Sequence, residues 1–295
     1  MSKTAIIIAG PTAVGKTDVA IEVAKYLQTQ IISADSRQCF KELNIGVARP
    51  SPADLNEVPH HFIASHSIHE KITAATFEQY ALEKANEIFK RNDWVVVVGG
   101  TGLYINAFQE GLDEIPEIPE EIRNEIVEDY YRYGLEWLQQ TIQLEDPFYY
   151  KKGEIKNPQR LMRALEVKRW TGTSVTELRK GNNTRRNFLI KKFVLNVNKE
   201  QLHLNISQRV DKMIKEGLLE EVKSLLPYQH LNALQTVGYK EIFSFLHGEI
   251  DFQLAVEKIK INSRQYAKRQ LTWFKKDKEY LWLKPDAEQL LANID

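Results

Sequence analysis

The sequence contains one cysteine, Cys39, in 295 residues. A single cysteine excludes an intramolecular disulfide framework and a cysteine-based structural zinc site, so we interpret it as small core filling in a reducing compartment. Long apolar runs are missing as well: the longest, Ala5–Ala9 and Trp94–Val98, are far below the about 20 residues that span a bilayer. We therefore expect a cytoplasmic protein without a membrane segment.

An excess of charge of either sign is also absent. The 40 Lys and Arg residues balance the 40 Asp and Glu residues, so the total charge does not indicate a nucleic-acid partner. The distribution is nevertheless uneven. Residues 113–146 contain eleven acidic and two basic residues, whereas residues 151–192 contain thirteen basic and three acidic residues. Taken alone, the basic segment is better interpreted as a solvated face than as a nucleic-acid contact.

The N-terminal third alternates between short apolar runs and segments with helical spacing. Such runs are typical of strands buried on both faces of a parallel sheet, and their alternation with helices predicts a doubly wound α/β core. We expect strands at Ala5–Ala9, Gln30–Ala34 and Trp94–Val98, and helices at Thr17–Leu27 and Phe77–Phe89.

The pattern changes near Asp113, and from there to Lys192 the spacing is mostly helical with no clear strand. We therefore expect an α/β core of residues 1–112 and 193–295, interrupted by a helical insertion of residues 113–192. In the second part of the core we expect strands at Phe193–Val197 and Tyr280–Leu283, one amphipathic helix at Gln208–Leu226 and a last helix at Leu254–Phe274.

A phosphate-loop pattern follows the first predicted strand. Its glycines let backbone N–H groups surround phosphate oxygens, and the next helix directs its positive end at the same place. Lys16 adds a positive charge, and the Thr17 hydroxyl can bind Mg²⁺. A simple glycine turn is the alternative, but the strand before it and the helix after it favour a nucleotide or another phosphate-bearing ligand. The loop consists of Gly10, Pro11, Thr12, Ala13, Val14, Gly15, Lys16 and Thr17.

An acidic ligand for magnesium is missing from the expected place. Hydrolytic phosphate-loop enzymes usually end a later strand with a carboxylate that helps to hold the metal. Here the run Trp94–Val98 is followed by Gly99, Gly100, Thr101 and Gly102. The pattern therefore argues against an ATPase or GTPase and leaves a kinase open.

Asp35 follows the second predicted strand. Ligands of open parallel sheets bind at the carboxyl ends of the strands, so Asp35 is expected to face the phosphate loop from a strand that neighbours it. An aspartate before a serine is as often a turn cap, and the segment alone does not decide between these roles.

At this point the whole chain resembles the bacterial tRNA dimethylallyltransferases, the isopentenyl transferases that modify an adenosine beside the anticodon. The matching blocks run from end to end in the order of that family, and together they are far more specific than a phosphate loop. They are Gly10–Thr17, Asp35–Gln38, Asn44–Gly46, Pro59–Phe62, Gly99–Tyr104, Asn157–Leu161, Arg209-Val210, Gly217-Leu218, Val237–Tyr239 and Ala267–Trp273.

The resemblance implies transfer of a dimethylallyl group from dimethylallyl diphosphate to N6 of adenosine 37, in tRNAs that read codons beginning with U. Lys16 and the loop amides would stabilise the departing diphosphate, and Thr17 would hold Mg²⁺. Asp35 would accept a proton from N6. Thr101 would help to hold the adenosine or a phosphate, and Arg209 would reach the diphosphate.

The resemblance also implies a tRNA partner, bound at the anticodon stem-loop by a monomer. Arg264 and Lys268 share a helix face with interleaved Tyr266, Trp273 and Phe274, which suits phosphate contacts with some stacking. The implied tRNA contacts are Asp35, Ser36, Arg37, Gln38, Thr101, Arg123, Gln159, Arg160, Leu161, Met162, Arg163, Lys268 and Arg269.

The chain departs from the family at several positions. Val47 stands where members often have threonine, Phe40 where they often have tyrosine, and Asn205 where they often carry an arginine. The last departure argues against a second arginine on the diphosphate from this helix. The zinc finger of eukaryotic relatives is also absent, as the single cysteine requires.

Three other functions use parts of the same pattern. A small-molecule kinase of the nucleoside or shikimate type would use Gly10–Thr17 and Asp35, but it does not need the basic insertion. A nucleotide switch that binds RNA would need a base-reading motif, which is not found. A free-adenylate isopentenyltransferase would share the phosphate loop without needing a tRNA-binding segment.

Overall fold

The computed structural model describes residues 2–179, 181 and 184–294. The chain divides into two compact units, residues 1–109 with 185–295, and residues 110–184. The first unit contains the strands β1 (Thr4–Ala9), β2 (Ile31–Ala34), β3 (His60–His61), β4 (Trp94–Gly99), β5 (Leu189–Leu195) and β6 (Leu281–Leu283).

Helices pack against this sheet from both sides. They are α1 (Lys16–Tyr26), α2 (Pro52–Glu57), α3 (Ala74–Phe89), α4 (Gly102–Glu110), α9 (Lys199–Lys215), α10 (Leu218–Ser224), α11 (Tyr239–Leu246), α12 (Phe252–Phe274) and α13 (Ala287–Leu291), with 3₁₀ turns at Leu226–Tyr228 and Asn232–Leu234. The second unit contains α5 (Glu120–Glu145), α6 (Pro147–Lys152), α7 (Pro158–Thr171) and α8 (Val175–Leu178).

All neighbouring strands of the sheet are parallel, in the order β3-β2-β4-β1-β5-β6. Every residue of β1 and β2 is buried, because helices cover both faces of the sheet. The predicted α/β class is confirmed, and the phosphate loop at the end of β1 makes this a P-loop NTPase-like fold with a helical insertion.

The expected place of Asp35 in the sheet needs a correction. Its strand β2 pairs with β3 and β4, not with β1, and β4 pairs with β1 on its other edge. The glycine-rich turn after β4 therefore lies between the phosphate loop and the Asp35 loop. Sequence spacing could not give this order, since strand neighbours are set by which crossovers pack best.

Two apolar clusters fill the two faces of the sheet. One contains Ile7, Val97 and Phe77, and the other contains Ile8, Val98 and Val19. Alternate residues of β1 and β4 thus point into opposite clusters, as the strand repeat requires. No described helix is long and apolar enough to cross a membrane.

The predicted helix Gln208–Leu226 is wrong as one element. Helix α9 ends at Lys215, and α10 begins at Leu218 after Gly217, whose φ is 101°. This left-handed conformation ends a helix, and glycine adopts it without a steric penalty. The apolar spacing continues across the break, which is why the sequence suggested a single helix.

The insertion has an apolar core of its own. Ile126, Leu138, Ile142, Leu161 and Leu165 are fully buried in it. Helix α5 is broken at Gly134, whose φ of 79° and ψ of −169° lie outside the helical region. The insertion therefore forms a compact unit with a core of its own.

The C-terminal boundary of the insertion is earlier than expected. Strand β5 begins at Leu189, and Arg186 donates to the carbonyl oxygens of Ala107 and Phe108 and pairs with Glu78. Residues 185–192 therefore belong to the α/β unit. The two lysines inside β5 hid the start of this strand, which the apolar pattern placed at Phe193. Lys180, Asn182 and Asn183 of the predicted basic segment lie outside the described residues.

Candidate active site

The phosphate loop joins β1 to α1 as the sequence predicts. Gly15 has a φ of 92° and directly precedes the first helical residue, Lys16, so the loop turns sharply into the N-terminus of α1. Ala13 also has a positive φ, 63°, which is uncommon for a residue with a Cβ. The Lys16 Nζ donates to the carbonyl oxygen of Pro11 at 2.7 Å, which folds the ammonium group back over the loop.

Two cations approach each other at this loop. The pKa of Lys16 is lowered to about 7, chiefly by burial and then by the charge of Arg209, while the charge of Asp35 opposes the shift. Burial also lowers the pKa of Arg209, and the charge of Asp35 again opposes the shift. Desolvated positive groups gain most from a bound anion, so the arrangement suits a ligand with several negative charges.

Asp35 has one oxygen in a turn and one outside it. Its Oδ1 accepts the backbone N–H groups of Arg37 and Gln38, at 2.8 and 3.2 Å. Its Oδ2 accepts no hydrogen bond from the described part of the chain. The turn-cap interpretation is therefore correct for one oxygen, and the other remains available as a proton acceptor.

Thr101 connects the glycine turn after β4 to the Asp35 loop. Its Oγ1 accepts the backbone N–H of Ser36 at 3.1 Å, and its backbone N–H donates to the carbonyl oxygen of Ala34 at 3.2 Å. Tyr266 of α12 lies beside Thr101 and Asp35. The pKa of its phenol is raised to about 12, chiefly by burial and then by the charge of Asp35, while a hydrogen bond with the Thr101 side chain opposes the shift.

Gln38 and Arg209 share one stretch of backbone. The Nε2 of Gln38 donates to the carbonyl oxygens of Val47 and Ala48, at 3.2 and 3.0 Å. The Nη2 of Arg209 donates to the same Val47 oxygen at 3.4 Å. The carbonyl group, and not the side chain, of Val47 makes these contacts, so the departure from threonine leaves them intact.

Two adjoining cavities open at the carboxyl ends of the strands. The smaller, about 70 Å³, is lined by Lys16, Thr17 and Gln270 among others. The larger, about 590 Å³, extends along α9, α11 and α12. The residues that line both are Thr12, Asp35, Arg209 and Tyr266. Asp35 therefore lies where an anion on the phosphate loop and a larger ligand in the second cavity would meet.

The residues expected to contact RNA on α12 divide into two groups. Lys268 and Arg269 are exposed, and the guanidinium of Arg269 lies 5.7 Å from the centre of the Tyr266 ring. Phe274 is 1% exposed and lies in the core, so the expected stacking role of this residue is wrong. Trp273 packs against Gly102, where an added Cβ would approach its ring to 2.3 Å.

The residues of the insertion that were expected to contact RNA include buried, ion-paired and exposed side chains. Leu161 and Met162 are buried in its core, so these two side chains support α7 and do not face a ligand. Arg123 and Arg163 both bind the carboxylate of Glu166, whose side chain is 5% exposed. Gln159 and Arg160 are exposed at the start of α7.

A separate group of exposed cations surrounds α6 and the start of α7. In the described part of the insertion these side chains form no ion pair, and Arg160 and Arg179 both lower the pKa of Tyr149 against the larger effect of its burial. We call this group the α6 cations. They are Lys151, Lys152, Lys156, Arg160 and Arg179.

The sequence did not identify two polar residues at the loops. Gln270 of α12 and Asn205 of α9 each hydrogen-bond to the backbone of the phosphate loop. Gln270 belongs to a block that resembles the family, but the spacing of an isolated glutamine carries no signal for a particular partner. Asn205 was noticed only as a departure from the family.

Comparison with known proteins gives a consistent result. Residues 38–277 match the family model described as IPP transferase. The chain is 43% identical to tRNA dimethylallyltransferase 1 of Bacteroides thetaiotaomicron, over 97% of this chain and 92% of that protein. It is 45% identical to the tRNA dimethylallyltransferase of Christiangramia forsetii, over 97% and 95% of the two chains.

Solved structures agree with this result. The full-length tRNA isopentenylpyrophosphate transferase of Bacillus halodurans superimposes with a TM-score of 0.71 at 33% identity, covering 100% of this chain and 94% of that one. A eukaryotic dimethylallyltransferase acting on tRNA superimposes with a TM-score of 0.80 over 99% of this chain and 76% of that one. At 24% identity, the second likeness supports the fold alone.

Proposed function

This chain belongs to the IPP transferase family, and we propose that it is a tRNA dimethylallyltransferase. It transfers the dimethylallyl group of dimethylallyl diphosphate to N6 of adenosine 37, in tRNAs that read codons beginning with U, and releases diphosphate. The observation that carries this proposal is the position of Asp35, which lines both the cavity of the phosphate loop and the larger cavity beside it.

In the proposed reaction, N6 attacks C1 of the prenyl group as the bond between C1 and the diphosphate oxygen breaks. The electron pair of that bond leaves with the diphosphate, where Lys16, Arg209 and the loop amides stabilise the added charge. The Oδ2 of Asp35 takes the proton from N6. No water molecule has to be activated, which fits a strand β4 that ends in glycine instead of a carboxylate.

Mg²⁺ is the proposed cofactor. The described residues contain no group of three or more His, Cys, Asp or Glu side chains that could hold a metal ion. Magnesium at phosphate sites typically takes most of its ligands from phosphate oxygens and water, with only one or two from the protein. The Thr17 hydroxyl fits that role at the small cavity, and the bound ion would supply positive charge to the diphosphate.

The tRNA is proposed to bind through exposed cations of both units. In the α/β unit these are Lys268 and Arg269, with Arg37 and Gln38 closer to Asp35. In the insertion we assign the phosphate contacts to the α6 cations. Arg123 and Arg163 are less available for this, since both already pair with Glu166.

The test uses purified protein, magnesium and unmodified tRNA, with dimethylallyl diphosphate or ATP as the second substrate. Mass spectrometry of the digested RNA is expected to find an added dimethylallyl group on adenosine 37, with one diphosphate released for each group. Release of ADP from ATP without prenylation would support a kinase instead. Prenylation of free AMP but not of tRNA would support a free-adenylate isopentenyltransferase.

A further inference from the structure

The side-chain amide of Gln270 lies between two substrate-binding loops. Its Oε1 accepts the backbone N–H of Thr12 in the phosphate loop at 2.8 Å. Its Nε2 donates to the carbonyl oxygen of Gly100, in the glycine turn after β4, at 3.0 Å. The residue is 6% exposed, so water cannot readily replace either hydrogen bond.

The backbone of Gly100 passes close to the amide of Gln270. A Cβ added to Gly100 would lie 2.1 Å from the Nε2 of Gln270, so a side chain at this position would displace the amide. One end of the amide must accept from Thr12 and the other must donate to Gly100. A side chain with only one of these functions cannot satisfy both loops.

One of the two loops would bind the diphosphate leaving group, and the other contacts the segment that contains the proposed proton acceptor, Asp35. Thr12 precedes Lys16 and Thr17, which would hold the diphosphate. Gly100 precedes Thr101, whose hydroxyl accepts the N–H of Ser36 next to Asp35. The distance between the loops therefore affects how far the leaving group lies from the proton acceptor.

We propose that Gln270 is a positioning residue that fixes the phosphate loop relative to the Thr101–Asp35 side of the site. This inference rests on the proposed function, since it concerns the alignment of N6, C1 and the leaving oxygen. Gln270 acts through the two loops and not through a reacting atom. Displacement of a reactant by about 1 Å can reduce a rate about 100-fold, so a modest shift of one loop would be visible in kcat.

The test compares Gln270→Met, which removes both hydrogen bonds at similar size, with Gln265→Met. Gln265 lies on the exposed side of the same helix. For Gln270→Met we expect kcat to fall at least about tenfold, with the Kd for tRNA unchanged within about twofold. Hydrogen exchange is expected to accelerate in the peptides that contain Thr12 and Gly100 and nowhere else.

A second variant separates the two hydrogen bonds. Gln270→Glu can still accept from Thr12 but cannot donate to Gly100 when ionised, so the Thr12 peptide should stay protected while kcat falls.

A kcat for Gln270→Met within twofold of the Gln265→Met control would overturn the proposal. So would faster exchange spread through the whole chain, since that would mean a general loss of stability. If the unaltered protein prenylates no tRNA, the proposed function fails, whereas the exchange data still decide whether Gln270 holds the two loops.

Discussion

The Nδ2 of Asn205 donates to the carbonyl oxygen of Ala13 at 3.0 Å and so ties α9 to the phosphate loop. Ala13 is the non-glycine residue of the loop with a positive φ, and the Nε2 of Gln201 donates to the Oδ1 of Asn205 at 2.7 Å. An arginine, which the family often has here, would bring a charge toward the loop. In this chain the same position contributes a neutral hydrogen bond to the loop's backbone.

We expect Asn205→Ala to raise the KM for dimethylallyl diphosphate about three- to tenfold, since one neutral hydrogen bond contributes about 1 kcal/mol. The KM for tRNA should stay unchanged. Steady-state kinetics with each substrate varied in turn measures the difference. Gln208→Ala, an exposed position on the same helix, is the control. Equal changes in both KM values would argue against a specific role at the loop.

The two oxygens of Asp35 allow a sharp test of its role. Asp35→Asn retains an oxygen that can accept from Arg37 and Gln38, so the turn should survive, but the amide cannot accept the proton of N6. We expect kcat to fall about 100-fold or more, the usual size of general-base assistance, with the Kd for tRNA unchanged.

Asp35→Ala serves as the companion variant because it removes the turn contacts as well. It should lose activity and also lower the melting temperature, whereas Asp35→Asn should melt close to the unaltered protein. If Asp35→Asn retained a near-normal kcat, Asp35 would be a turn cap only, and the proton acceptor would have to be sought elsewhere.

The insertion contains two kinds of arginine, which should respond differently to replacement. Arg160→Ala or Arg179→Ala removes an exposed α6 cation, so each should weaken tRNA binding and reduce the slope of log Kd against log salt by about 1. Arg163→Ala should mainly lower stability, by about 1–3 kcal/mol, since it leaves the buried Glu166 with one partner fewer.

Binding titrations at several salt concentrations, with thermal melts of the same proteins, distinguish these effects. Arg132→Ala is the matched control: it removes an exposed arginine from α5, within the acidic half of the insertion. An Arg132→Ala protein that lost as much tRNA affinity as Arg160→Ala would contradict the assignment of the contacts to the α6 cations.

The sequence predicted the strands of this fold better than their order. Apolar runs identified β1, β2 and β4, since strands buried on both faces leave a continuous apolar signal. The position of β4 between the phosphate loop and Asp35 depends on helix packing across the sheet, which no local pattern records. The start of β5 was missed because Lys191 and Lys192 interrupt the apolar run.

The residues of the candidate site were likewise predictable only where a local sequence pattern marks them. Glycines, Lys16, Thr17 and Asp35 carry local signals because phosphate binding and turns need fixed residue types at fixed spacing. Gln270 reaches a partner 258 positions away along the chain, and this distance gives no periodic signal. The family resemblance included the block that contains Gln270, but it did not predict the hydrogen bonds of the Gln270 amide to Thr12 and Gly100.

Cys39 should be chemically inert in the folded protein. It is fully buried, and burial raises the pKa of its thiol to about 12, with the charge of Asp35 adding to the shift. A raised thiol pKa favours the unreactive neutral form, so alkylation by iodoacetamide at pH 8 should be slow and should accelerate as the pH rises or the chain unfolds. Mass spectrometry of the labelled protein measures this. Fast labelling of the native protein would contradict the assignment of Cys39 as core filling.

The last prediction concerns the support of the loop that contains Val47. The carboxylate of Glu221 accepts the backbone N–H groups of Asn44, Ile45 and Gly46, at 3.2, 2.7 and 3.0 Å, and the hydroxyl of Tyr239 at 2.6 Å. Burial and the charge of Glu221 raise the pKa of the Tyr239 phenol above its usual range, so it stays a donor at any ordinary pH.

Glu221→Gln replaces one accepting oxygen by an NH₂ group that faces donors, so about two of these hydrogen bonds should be lost, at a cost of about 1–3 kcal/mol. The same loop presents two carbonyl oxygens to Gln38 but only one, at 3.4 Å, to Arg209, so we expect kcat to fall about tenfold and diphosphate affinity to fall much less. Tyr239→Phe removes a single donor and should have a smaller effect. Glu220→Gln makes the same chemical change one residue earlier, on the exposed side of α10, and should behave like the unaltered protein.

Calorimetry with diphosphate and kinetics with tRNA together show which part of the site this loop supports. If Glu221→Gln weakened diphosphate binding as much as it lowered kcat, the loop would support the phosphate site and not the Gln38 side.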